Sequence, residues 1–65
     1  MTDYDIIKAM IRYGGSFVSG LGRAAQCADE ENLQRIKETW PEYWEQYSKL
    51  ASLDASHHNK IDKTL

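Results

Sequence analysis

The chain has 65 residues, a formal net charge of −2 and a single cysteine, so it holds one domain with a small core that neither an internal disulfide nor a Cys/His zinc cluster reinforces. Charges of both signs are interspersed, which disfavours sequence-blind binding to duplex nucleic acid, and no apolar run approaches the roughly 20 residues that span a bilayer. The N-terminus lacks the charged, apolar and small-residue order of a signal peptide, so the expectation is a soluble, cytoplasmic protein with no membrane partner.

Helices are predicted throughout, in an all-α bundle of three to four short helices occupying residues 1–53. Thr2 or Asp3 caps the first, in which Tyr4, Ile7, Met10 and Ile11, widened by Ile6, recur at the three-four spacing of one buried face. Gly14 and Gly15 end it, on the expectation that glycine there takes the left-handed conformation. Ser16 then caps a second helix with an apolar stripe of Phe17, Val18, Leu21, Ala24, Ala25 and Ala28. Asp29 opens a third, whose acidic start suits the positive end of the helix dipole and which carries Leu33, Ile36 and Trp40.

Pro41 interrupts this pattern. Proline inside a helix costs about 3 kcal/mol, whereas Thr39 and Glu42 have capping-box spacing and Pro41 would then sit in a first turn that needs no amide donor. A fresh helix from Pro41 to Ala51, or a kinked continuation, is expected. Beyond Leu53 the apolar pattern fades, so residues 54–65 read as a flexible polar tail.

Two features bear on function. In the second helix Ser16, Gly20, Ala24 and Ala28 stack at successive i, i+4 positions. Such a row lets another backbone approach closely and is the expected seam for self-association. The same region reads alternatively as an anion or nucleotide site, with Gly14, Gly15 and Ser16 at a helix N-terminus and Lys8, Arg12 and Arg23 supplying positive charge. No Walker or dinucleotide motif accompanies it. The second feature is aromatic: Trp40 and Trp44, like Tyr43 and Tyr47, are four apart. A core this small would struggle to cover all four rings, so Tyr43, Trp44 and Tyr47 are the expected partner-binding anchors. The competing reading buries both tryptophans and leaves the tyrosines half exposed.

Catalytic constellations are poor. His57 and His58 fall in the tail beside Asp54 and Asp62, and Cys27 follows an apolar helix face with no histidine near it in sequence, as a buried or half-buried thiol would. Glu31 with Arg35 and Glu45 with Lys49 have the spacing of surface ion pairs. Neither an enzyme nor a cofactor or metal is expected.

The run "YGGSFVSGLGRAAQCADEENLQRIKETWPEYWEQY" resembles short all-helical proteins encoded by bacteriophages and prophage-like elements, in which a YGG-F-LG-A-AD run precedes an N-I-PEYW-Y run. The likeness spans roughly residues 6–51 and carries no catalytic residue with it. It implies a small phage protein acting inside a bacterial host by stoichiometric binding. The expected function is thus a self-associating modulator of a host process, such as host defence, through protein binding; the alternative is an oligomeric protein that sequesters a nucleotide, with aromatic stacking on the base.

Overall fold

The computed structural model describes the backbone of residues 2–64 and the side chains of residues 2–54. Helix α1 (Asp3–Tyr13) begins where Thr2 closes a capping box: the Asp5 amide donates to Thr2 Oγ1, and the Thr2 amide donates to Asp5 Oδ2 at 3.0 Å. Its end departs from expectation. Gly14 caps α1 with φ −75° and ψ 154°, and none of the described glycines has a positive φ. Glycine is needed at Gly14 for room instead, because a Cβ there would stand 2.5 Å from the Met10 carbonyl oxygen and 2.7 Å from Val18 Cγ1.

Helix α2 (Ser16–Cys27) starts with Gly15, not Ser16, in the capping position, and no side chain caps its free amides. Val18, Gly22 and Ala25 face inward. Gly22 lets α2 lie directly on α1: a Cβ there would meet Ile11 Cγ1 at 3.0 Å and Met10 Cβ at 3.1 Å. The close approach anticipated for Ser16, Gly20, Ala24 and Ala28 is therefore made within the chain by another row. Ser16, Gly20 and Ala24 are exposed, Ala28 is half-buried, and a Cβ at Gly20 would meet nothing.

Helix α3 (Glu30–Thr39) is capped by Asp29, whose carboxylate accepts from the Asn32 amide at 2.9 Å. It contributes no fully buried residue and rests on the bundle through Leu33 and Ile36. The chain breaks at Trp40 (φ −128°, ψ 61°), and helix α4 (Pro41–Thr64) starts afresh at the proline. The residue that flanks the new helix is Trp40, whose carbonyl accepts from the Tyr43 amide, so Thr39 lies one position too early for the expected capping box and its hydroxyl donates to the Arg35 carbonyl at 2.7 Å. Helix α4 continues well past Ala51, so the backbone of the expected tail is helical as far as Thr64. After Pro41 the sequence holds neither glycine nor proline, so fading apolar periodicity is no stop signal by itself.

The result is a four-helix, all-α fold with no strand among the described residues. Helix α1 is its centre, packed against α2 on one side and α4 on the other. The core joins Ile6, Ile7, Ala9 and the wholly buried Met10 to Val18 and Ala25 of α2 and to Trp44, Tyr47 and Ala51 of α4. Tyr4, expected inside, is exposed beneath the Lys8 ammonium, 5.0 Å from its ring centroid. Among the described residues no helix is long and apolar enough to cross a membrane.

Candidate functional site

Rotation of α4 about its axis sorts the aromatic residues. Trp44, Tyr47 and Ala51 follow an i, i+3, i+7 line that faces α1, and their neighbours Trp40 and Tyr43 sit at the bundle's margin. Trp44 and Tyr47 retain only 9% and 6% of their accessible surface, so one copy of the chain covers them and neither is an exposed anchor. The anchor expectation is corrected for Trp44 and Tyr47, and the competing one holds for the buried Trp44 and the half-buried Tyr43 but not for Trp40, which is half-buried, or Tyr47, which is buried. Tyr43, the third expected anchor, is half-buried and remains partly accessible.

Its companions come from elsewhere. Phe17, in the first turn of α2, is 58% exposed although it belongs to the expected apolar stripe. Its ring stands edge-on to Trp40, with centroids 5.8 Å apart and planes at 70°, and 6.3 Å from Tyr43 at 55°. Such tilted pairs satisfy the aromatic quadrupole and hold ring orientations without full burial. Phe17, Trp40 and Tyr43 thus form an aromatic surface where the start of α2 meets the α3–α4 break. Sequence reasoning missed Phe17 and Trp40. The usable signal was that Val18 and Gly22 share an inward line, which turns Phe17 about 100° away from it.

Two polar links fasten α1 to its neighbours. Asp3 takes the Trp44 indole N–H on Oδ1 at 3.0 Å and the Lys37 ammonium on Oδ2 at 3.1 Å. The carboxylate thereby ties α1 to the end of α3 and the start of α4. The Trp44 hydrogen bond, with Lys37 adding to it and partial burial opposing it, holds the Asp3 carboxyl below its usual pKa. At the other end the Tyr13 hydroxyl donates to Asp54 Oδ1 at 2.8 Å, and Arg12 lies 3.8 Å from Asp54 Oδ2. The hydrogen bond to Asp54 raises the Tyr13 pKa. Both oxygens of Asp3 are committed to joining helices, which is a structural task.

The anion-site residues do not converge. The Lys8 ammonium lies over Tyr4, while the Arg12 guanidinium lies 5.5 Å from the Tyr13 centroid and beside Asp54. Arg23 is about 10 Å along α2 from Ser16 at the ordinary helical rise. Gly14, Gly15 and Ser16 do offer an uncapped helix start beside Phe17. Comparison with protein-family models, with curated proteins and with solved structures finds no match to this chain. Among the described residues no group of three or more His, Cys, Asp and Glu is arranged to hold a metal ion. The side chains of His57, His58 and Asp62 lie outside the described residues. Cys27, expected buried or half-buried, is exposed at the end of α2. Ala25 faces inward, and a step of two residues turns the thiol outward.

Proposed function

We propose that this chain works by stoichiometric, non-catalytic binding to a protein through the surface of Phe17, Trp40 and Tyr43. One observation carries the reading: the core is closed by Met10, Trp44 and Tyr47, yet three further aromatic rings are gathered at the surface with Phe17 largely exposed. Clustered aromatic anchors are the residues that dominate binding energy in small interfaces. The resemblance to phage and prophage-encoded proteins supplies the proposed setting, a host process inside a bacterium, with host defence as one such process.

Self-association is a separable part of this proposal. Ser16, Gly20 and Ala24 form a solvent-facing row of small residues with open space over Gly20, where a second copy would pack. Sedimentation velocity over a concentration series reads it directly: one sedimenting species of monomer mass at every concentration removes the seam. The binding reading is tested by immobilising the wild-type chain and Phe17→Ala in parallel over bacterial lysate. Wild type should retain a protein in fixed stoichiometry and Phe17→Ala, folded by circular dichroism, should lose it; equal retention by both defeats the reading.

Nucleotide sequestration, the second reading, draws on the uncapped start of α2 beside the three rings. A rise in melting temperature with added nucleotides, abolished by Phe17→Ala, would favour it.

A further inference from the structure

We propose that the Phe17–Trp40–Tyr43 surface receives a cationic segment of its partner protein, with an arginine or lysine side chain laid against the rings. This rests on the protein-binding reading and names the chemistry of the partner. Aromatic faces carry negative electrostatic potential and attract cations that approach within about 6 Å of the ring centroid. The chain makes this contact twice on its own surface, Lys8 over Tyr4 and Arg12 over Tyr13.

The charge around the three rings has a definite sign. Between Lys37 and Lys49 the sequence contains Glu38, Glu42 and Glu45 and no cation. Glu45 pairs with Lys49 at 3.6 Å. Glu38 and Glu42 are exposed, one two residues before Trp40 and the other next to Tyr43, and neither has an ion-pair partner among the described residues. Helix ends act in the opposite sense but more weakly. The starts of α2 and α4 each contribute roughly half a positive charge and the end of α3 roughly half a negative one, so two full carboxylate charges prevail.

A second copy of the chain is a poorer occupant. Among the described side chains Arg35, Lys37 and Lys49 are already in ion pairs, Arg12 lies beside Asp54 and Lys8 lies on Tyr4, which leaves Arg23 as the one exposed cation outside these contacts. A separate protein brings its cations unspent, and long-range attraction to the carboxylates would speed its approach.

The test is a fluorescence-anisotropy titration of the full chain with a short labelled peptide alternating arginine and leucine, and with its lysine and glutamate counterparts. The arginine and lysine peptides should bind and the glutamate peptide should not. Phe17→Leu, which keeps apolar bulk but removes the ring, should weaken arginine-peptide binding roughly five- to tenfold. Glu42→Gln should weaken it severalfold, while Glu30→Gln with Glu31→Gln at the far end of α3 should leave it unchanged. Phe17→Leu is mild enough to preserve the fold, and Trp40→Leu repeats the test at a second ring. Peptide affinity that ignores Phe17 and Trp40 but falls equally with any lost carboxylate overturns the proposal, as does equal binding of the glutamate peptide. A Phe17→Leu chain that sediments as a smaller particle than wild type would assign the surface to a second copy instead. If no peptide binds while lysate capture still depends on Phe17, the cationic partner is refuted and the protein-binding reading stands.

Discussion

Gly20 and Gly22 lie two residues apart on the same helix and should respond to alanine with opposite signs. Each substitution removes glycine from a helix interior, which by propensity alone stabilises by about 0.8–1 kcal/mol. At Gly20 a Cβ would meet no atom within 4 Å, so that gain should be realised in full in the isolated chain. In a domain of this size about 1 kcal/mol corresponds to a rise of roughly 4–8 °C in melting temperature. At Gly22 the new methyl would stand 3.0 Å from Ile11 Cγ1, 3.1 Å from Met10 Cβ and 3.3 Å from the Ile11 amide nitrogen. The Ile11 Cγ1 can turn aside, but the other two atoms are fixed to the backbone, so α1 and α2 must separate. Overpacking of this kind costs typically about 1–3 kcal/mol, which exceeds the propensity gain over most of its range. Urea and thermal unfolding followed by circular dichroism at low protein concentration should therefore rank Gly20→Ala above wild type and Gly22→Ala below it. A Gly22→Ala chain as stable as Gly20→Ala would refute the tight α1–α2 contact on which the core rests. Loss of stability in Gly20→Ala that grows with protein concentration would place a second copy over that face.

Asp3→Ala should cost about 1–2 kcal/mol, because it strips the Trp44 indole and the Lys37 ammonium of their acceptor at a partly exposed site. The same carboxylate sets an acid dependence. Its folded pKa lies below the ordinary value of 3.8, so its contribution is complete above that value and is lost as pH falls through the lower, folded one. Wild type should lose stability relative to Asp3→Asn only in that acid window, read by tryptophan fluorescence during urea titrations. Comparing the two chains cancels Asp5, whose pKa is also lowered, by its hydrogen bonds with Thr2. Equal acid sensitivity in both would contradict the Asp3 link. Cys27, exposed at the end of α2, should react with an aromatic disulfide reagent stoichiometrically and without denaturant. A thiol that reacts only after unfolding would contradict its place on the surface.

Much of the architecture was legible locally. Helix starts depend on atoms within three or four residues, so Thr2, Asp29 and Pro41 mark the starts of α1, α3 and α4, and Glu31–Arg35 and Glu45–Lys49 meet at 3.5 and 3.6 Å as their spacing requires. The all-α class follows from the same short-range rules. The candidate surface was only partly legible: Tyr43 was named, but Phe17 and Trp40 were not, and Trp44 and Tyr47 belong to the core.

Tertiary structure decided what each helix turns inward. On α2 the line through Gly20 and the line through Gly22 are both small enough to pack, and on α4 two aromatic lines compete. A one-residue step turns a side chain by about 100°, so only contact with α1 selects between them. Asp3 and Trp44 are 41 positions apart, and the hydrogen bond that joins them has no counterpart in either local pattern. The amino-acid order by itself thus determined where helices form, because that is settled among near neighbours in the chain. Their rotation, and with it the division of rings between core and surface, was decided by packing, because burial depends on atoms brought together from distant positions.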